Sequence, residues 1–184
     1  MDKAEILRYM RTNSRITDER VLALADRAAD AVEKEAVPKT LYRIFDCTVS
    51  GDAVTIGGET FVSSHLADNL RGCGRAVLFG ATLGTQCDRL ITAAATTDVA
   101  LAMAIQAAAA CKIEEVCDEL EQQIIAAHGV KLRPRYSPGY FDLDISEQQK
   151  IFAMIELTKR IGVTLTETYE MLPTKSVTAI IGID

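Results

Sequence analysis

Lys131-Leu-Arg-Pro-Arg-Tyr-Ser-Pro-Gly-Tyr140 is the stretch on which the reading of the chain turns. Three cations, two prolines, one glycine and two aromatics fall within its ten residues. Arg135 offers a planar fork of donors suited to a carboxylate or a phosphate. Pro134 and Pro138 stiffen the backbone on either side of it and remove two N–H donors. Gly139 permits positive φ, or lets a ligand approach the main chain closely. Tyr136 and Tyr140 each present a flat ring to a heterocycle or a cation. The stretch reads as a binding loop for a small zwitterion with an aromatic part. An ordinary turn with a surface arginine is the plainer alternative.

An alanine-rich helical run leads into this loop. Asp98 caps it, and it reaches about Ala127. Its second half buries Ile113, Val116, Cys117, Leu120 and Ile124. At about 100° per residue, Glu114 falls at the rim of that face, where it can look into a crevice. Glu115 falls on the far side with Asp118, Glu119 and Gln122, toward water. Beyond the loop, Ser146 caps a helix over 147–160, and Gly162 serves as its C′ residue. A short strand follows at 163–166, and the β-branched run 176–183 reads as a strand well inside a sheet.

The N-terminal part divides at Pro38. Helices are expected over 2–11 and 18–35, the second with Thr17 as N-cap. After Pro38 a hairpin is expected from 41–49 and 53–56 around Ser50-Gly-Asp52, with a second turn at Gly57-Gly58. Ser64 is expected to cap a short helix through Leu70, and the apolar run from Arg75 reads as a strand buried on both faces. It ends in Gly80-Ala-Thr-Leu-Gly84, loosely like a phosphate-binding turn but without the spacing of either glycine-rich motif. Close packing of the next helix explains those glycines as well.

Composition narrows the function. A length of 184 residues suits one domain, with 1–37 as a helical extension and 38–184 as an α+β core. A net charge of −6 argues against a broad nucleic-acid surface. The first residues lack the apolar run of a signal peptide. The best membrane candidate, 99–113, is too short and is interrupted by Gln106 and Lys112. A cytoplasmic protein is expected, touching neither membrane nor nucleic acid. The five cysteines show no CxxC spacing and read as buried reduced thiols. Two histidines offer little to a metal, so no metal site is expected.

The C-terminal third resembles the activation domain of cobalamin-dependent methionine synthase. That family carries an Arg-x-x-x-Gly-Tyr motif, here Arg135-Tyr-Ser-Pro-Gly139-Tyr140. The downstream turn of the family reads here Leu165-Thr-Glu-Thr168, and its entry to the last strand reads Pro173-Thr-Lys-Ser-Val-Thr178. The run 107–121 is similar to the alanine-rich helix before the motif. The match spans about fifty residues; before Arg75 it is weak.

The resemblance implies an α+β fold, a curved antiparallel sheet flanked by helices, that binds S-adenosylmethionine and supports methionine biosynthesis. In the family this domain serves reductive reactivation of cob(II)alamin: an electron donor reduces the cobalt, and S-adenosylmethionine traps it by methylation. Carried onto this chain, Arg135 would take the ligand carboxylate and Glu114 the ammonium, with Glu115 as the alternative register. Main-chain groups of Ser137, Pro138, Gly139 and Tyr140 would line the adenine. No side chain need act as a base. The expected role is a free-standing accessory component of methyltransferase activity. It would work with a corrinoid protein or truncated methionine synthase that carries the cobalamin, and with a flavodoxin-like or ferredoxin-like donor. The alternative is a non-catalytic interaction module or chaperone for a corrinoid protein. Two departures favour it. The segment after the motif, Phe141-Asp-Leu-Asp-Ile-Ser146, lacks the family's usual Pro-Ala-Cys-Pro and histidine. The sequence also ends at Asp184, before the family's terminal tyrosine pair.

Overall fold

Alternation along β4 (Arg75–Thr82) and β7 (Ser176–Ile183) sets the architecture. Successive side chains of a strand point to opposite faces, and here both faces are largely buried and mostly apolar, with Thr82, Ser176 and Thr178 as buried polar exceptions. Val77, Phe79, Ala81, Ala179, Ile181 and Ile183 enter one buried cluster, whereas Ala76, Leu78 and Ile180 enter another. The expected burial of the strand at residue 75 on both faces is observed. These two strands pair with β1 (Lys39–Ser50), β2 (Ala53–Ile56) and β3 (Glu59–Val62) in a curled, wholly antiparallel sheet of order β3-β2-β1-β4-β7. Gly51, at φ 59°, supplies the positive φ that the two-residue turn between β1 and β2 needs. The computed structural model describes residues 1–11 and 18–184.

Helices cover both faces. On one lie α1 (Lys3–Tyr9), α2 (Glu19–Glu35), α4 (Thr85–Ala95) and the thirty-residue α5 (Val99–His128). Ala104, Ala107, Ala108 and Ala109 of α5 are buried, and their small side chains let α2 and α4 approach closely. Ile105, Ile113, Leu120 and Ile124 fill the remaining space, each contributing roughly 1.5–3 kcal/mol by burial. Asp98 caps α5 as expected, accepting from Leu101 N, and Gly129 closes it in the left-handed conformation. On the other face lie α3 (Ser64–Leu70), α6 (Gln148–Ile155) and α7 (Leu157–Ile161).

Several local expectations are corrected. Thr17 lies outside the described residues; Asp18 accepts the capping bond of α2, from Arg20 N. Ser63, not Ser64, caps α3: Ser63 has the extended backbone of a cap and its hydroxyl accepts from Leu66 N, whereas Ser64 is already the first helical residue. Asp144, not Ser146, caps the turn of 3-10 helix Ile145–Glu147 that leads into α6. The helix expected over 147–160 is two helices, broken at Glu156, which sits at φ 54° and ψ 42°. The short strand near 163–166 forms as β5 (Thr164–Leu165), paired with an unanticipated β6 (Met171–Leu172). Gly80 makes room for Leu157 of α7, not for the helix that follows it in sequence. A Cβ there would lie 2.3 Å from Leu157 Cδ2.

The decisive stretch covers the free edge of β7. Arg133 N donates to Gly182 O, Asp184 N to Lys131 O, and Tyr136 and Ile180 exchange both backbone bonds. The two bridges are offset by one residue around Pro134, which has no N–H to give, so the pairing here stays as isolated bridges. Tyr136 turns into the cluster beneath α6, and Arg135 turns the other way, toward α5.

Candidate functional site

Glu114, Asp118 and Glu121 recur at i, i+4 and i+7 along α5, a spacing that brings them to one side of the helix. Arg135 lies across that side. Its Nη2 donates to Glu114 Oε2 at 2.5 Å, and its Nη1 donates to Asp118 Oδ1 at 2.7 Å and to Glu121 Oε1 at 2.6 Å. The guanidinium side chain is 25% exposed. Burial alone would lower its pKa, but the bonds to Glu121, Asp118 and Glu114 outweigh that and hold it above the ordinary arginine value. Glu114 thus occupies the rim position expected of it. Asp118 faces water as expected, at 67% exposed, and the long arginine side chain reaches over the rim to bind it there. Glu115 differs from expectation. It pairs with Lys112 Nζ at 2.7 Å, and that bond holds its carboxyl below the usual range despite partial burial.

Next to the Glu114–Arg135 pair opens a cavity of about 610 Å³ between the loop, α6, β6 and β7. Five of the six anticipated residues line it: Glu114, Arg135, Ser137, Pro138 and Tyr140. Gly139 does not; it shapes the loop from behind. Its N–H donates to Leu143 O at 2.8 Å, its φ is 90°, and a Cβ would lie 2.9 Å from Ile145 Cδ1.

The sequence reading missed the opposite wall, which includes Gln148, Glu170, Thr174, Ser176 and Thr178. The only signal for it was the hydroxyl residues at alternate positions of an otherwise apolar β7. Gln148 is buried and fully engaged, donating to Tyr169 O at 2.6 Å and accepting from Thr178 Oγ1 at 3.0 Å.

Aromatic rings form the rim. Phe141 stacks on His65 at 4.8 Å and lies 6.2 Å from Tyr136, while the Tyr136 hydroxyl donates to Tyr140 O. Tyr140 and Phe141 remain mostly exposed. Asp142 fastens this rim to α3. It accepts from Ser63 Oγ at 2.5 Å and from Ser64 N and Oγ at 2.7 and 2.8 Å, and it faces His65 Nδ1 at 3.1 Å. Those donors, Ser63 first, hold its carboxyl well below the ordinary range. Below the arginine cluster, burial pushes the Cys117 thiol up to about 12, with Arg135 opposing the shift. All five cysteines are free and buried. Among the described residues, no group of three His, Cys, Asp or Glu side chains is arranged to hold a metal ion. None of the described helices is long and apolar enough to cross a membrane.

Residues 84–183 match the family model described as vitamin B12 dependent methionine synthase, activation domain. That span is more than half of the chain and contains α5, the loop and β7. The chain belongs to this family. Its fold agrees with that of a solved family structure. A crystal structure of the MetH reactivation domain bound to AdoHcy aligns with a TM-score of 0.69 at 19% identity. The alignment covers 89% of this chain and 64% of that one, so the chain spans less than two thirds of its neighbour's length. No curated protein matches the sequence.

Proposed function

We propose that the chain binds S-adenosylmethionine in the cavity beside Arg135 and presents its methyl group to a corrinoid carried by a partner. One observation carries this reading. A cation and a carboxylate, Arg135 and Glu114, stand in contact at the edge of a cavity of about 610 Å³, within the range of about 300–1,000 Å³ usual for small-ligand sites. The α-amino and α-carboxylate groups of a zwitterion would exchange with that pair, the carboxylate going to Arg135 Nη2 and the ammonium to Glu114. Asp118 and Glu121 would stay on Nη1 and keep the guanidinium in place. The flat faces of Tyr140 and Phe141 would flank the adenine, and Gly139 would hold the backbone of Ser137 to Tyr140 in the required turn. Family membership and the AdoHcy in the aligned neighbour support the choice of ligand.

The methyl of a sulfonium is electrophilic, and a reduced corrinoid on the partner would supply the nucleophile. The residues here would bind and orient, which accounts for the lack of any need for a general base. The partner would be a corrinoid protein or truncated methionine synthase, with a flavodoxin-like or ferredoxin-like protein as electron donor. Residues 1–37 and 38–184 are read as one domain, supported by the cluster in which α1 and α2 pack with α5 and the sheet. The same chemistry would operate in the cytoplasm as an accessory step of methionine biosynthesis.

One observation favours a second reading, a non-catalytic module that docks a corrinoid protein. Three carboxylates already hold Arg135, so a ligand carboxylate must compete for it. Calorimetric titration with S-adenosylmethionine separates the two. Saturable binding that falls at least about 100-fold in Arg135→Ala is expected, the loss typical of a charged partner left unpaired. Equal affinity in the variant would defeat the site assignment. A folded wild type that binds nothing would favour the docking module.

A further inference from the structure

We infer that Asp118 and Glu121 set the charge preference of the site, making it favour a cationic sulfonium over the neutral thioether of the same shape. The inference rests on the ligand proposed above. The charged side chains lining the cavity are Arg135, Glu114 and Glu170. Asp118 and Glu121 lie behind them, on the Nη1 side of the arginine, and do not line it. The set is one guanidinium and four carboxylates, an excess of three negative charges. Among the described residues, no lysine or second arginine lines the cavity.

The amino-acid end of the ligand adds no net charge, since its carboxylate and ammonium cancel. Replacing Glu114 on Nη2 by the ligand carboxylate, and giving Glu114 the ammonium, leaves the excess unchanged. What distinguishes S-adenosylmethionine from S-adenosylhomocysteine is then the sulfonium charge alone, acting against that excess. Unit charges about 10 Å apart near a protein surface alter binding by about 17-fold when unscreened, and screening over about one Debye length at ordinary salt brings this to about threefold each. The two carboxylates contribute unequally. Glu121 is 20% exposed and Asp118 is 67% exposed, so water and salt screen Asp118 more. Their second effect is geometric: with Nη1 taken, a ligand carboxylate is directed to the Nη2 and Nε side of the guanidinium.

The test is calorimetric titration of wild type, Glu121→Gln, Glu121→Asp and the double variant Asp118→Asn/Glu121→Gln with both ligands. The informative quantity is the ratio of the two affinities. We expect Glu121→Gln to reduce the preference for the sulfonium about threefold and the double variant about fivefold. Glu121→Asp, which keeps the charge, should retain the wild-type ratio. Wild-type protein at about 0.5 M salt should show a narrowed ratio, a check that needs no variant to fold. Parallel losses for both ligands would mean that the carboxylates only hold Arg135 in place, and would overturn the inference while leaving the binding reading intact. A salt-independent ratio would overturn it likewise. Failure of the wild type to bind either ligand would overturn the binding reading and this inference together.

Discussion

Gly139 carries more of the site than its absence from the cavity wall suggests. Its φ of 90° and the 2.9 Å that a Cβ would leave to Ile145 Cδ1 are two separate reasons for a residue without a side chain. Gly139→Ala is expected to cost about 1–3 kcal/mol, read as a lower denaturant midpoint. Gly129 provides the control: its φ is 61°, but a Cβ there meets open space, so Gly129→Ala should cost about 1 kcal/mol from backbone strain alone. Equal losses at the two positions would mean that Ile145 yields freely. The loop residues of the site were legible because proline, glycine, arginine and tyrosine each have strong individual chemistry. The wall formed by Gln148, Thr174, Ser176 and Thr178 was not, because those residues come from α6, the turn before β7 and β7 itself. Only the folded chain brings them opposite Arg135. Asp118 faces water as its place on the wheel indicates, but its ion pair with Arg135 was not legible, for a related reason. A helical wheel assigns directions to side chains on one helix but knows nothing of a seventeen-residue-distant arginine reaching across it.

Among the elements, those with one dominant signal were readable. The apolar periodicity of α5, its Asp98 cap and the β-branched run of β7 each specify a long element unaided. The break between α6 and α7 had no such signal. Ile151, Ile155, Leu157 and Ile161 are all buried, and the only trace of the break is a slip of about 120° in phase between the two pairs, which does not stand out over so short an apolar run. Tertiary packing supplies a reason for the break: Leu157 must drop into the space left by Gly80 on β4, where even a methyl group would collide at 2.3 Å. Gly80→Ala should therefore destabilise by about 1–3 kcal/mol through overpacking, and Leu157→Ala by about 2–5 kcal/mol through the cavity it leaves. The double variant should cost less than the sum by at least about 1 kcal/mol, since each change relieves the other. Additive losses in denaturant unfolding would show that the glycine and the leucine do not act as a pair.

For the whole molecule, the sheet joins two apolar layers, and the cavity rim is bound to the second of these through Asp142. Its partners, Ser63, Ser64 and His65, belong to the start of α3, so one carboxylate links the segment after the binding loop to a helix nearly eighty residues earlier. The folded state holds this carboxyl well below its ordinary range, whereas the unfolded chain returns it to about 3.9. The unfolded state therefore takes up the proton first as pH falls. Stability from this group is fully present above about pH 5 and is lost as pH drops through the folded-state value. Glu115, Asp144 and Glu156 are shifted the same way, by Lys112, by Ser146 and by Arg160 with Lys159 respectively. Denaturant unfolding at a series of pH values should thus give a plateau near neutrality and a falling acid limb. Asp142→Asn cannot titrate there, so its plateau should lie lower and its acid limb should be shallower, the two curves converging only as pH falls through the folded-state value. Curves that stayed parallel from neutral to acid would mean that the Asp142 bonds add nothing to the folded state beyond what the unfolded chain already has, and the rim would need another anchor.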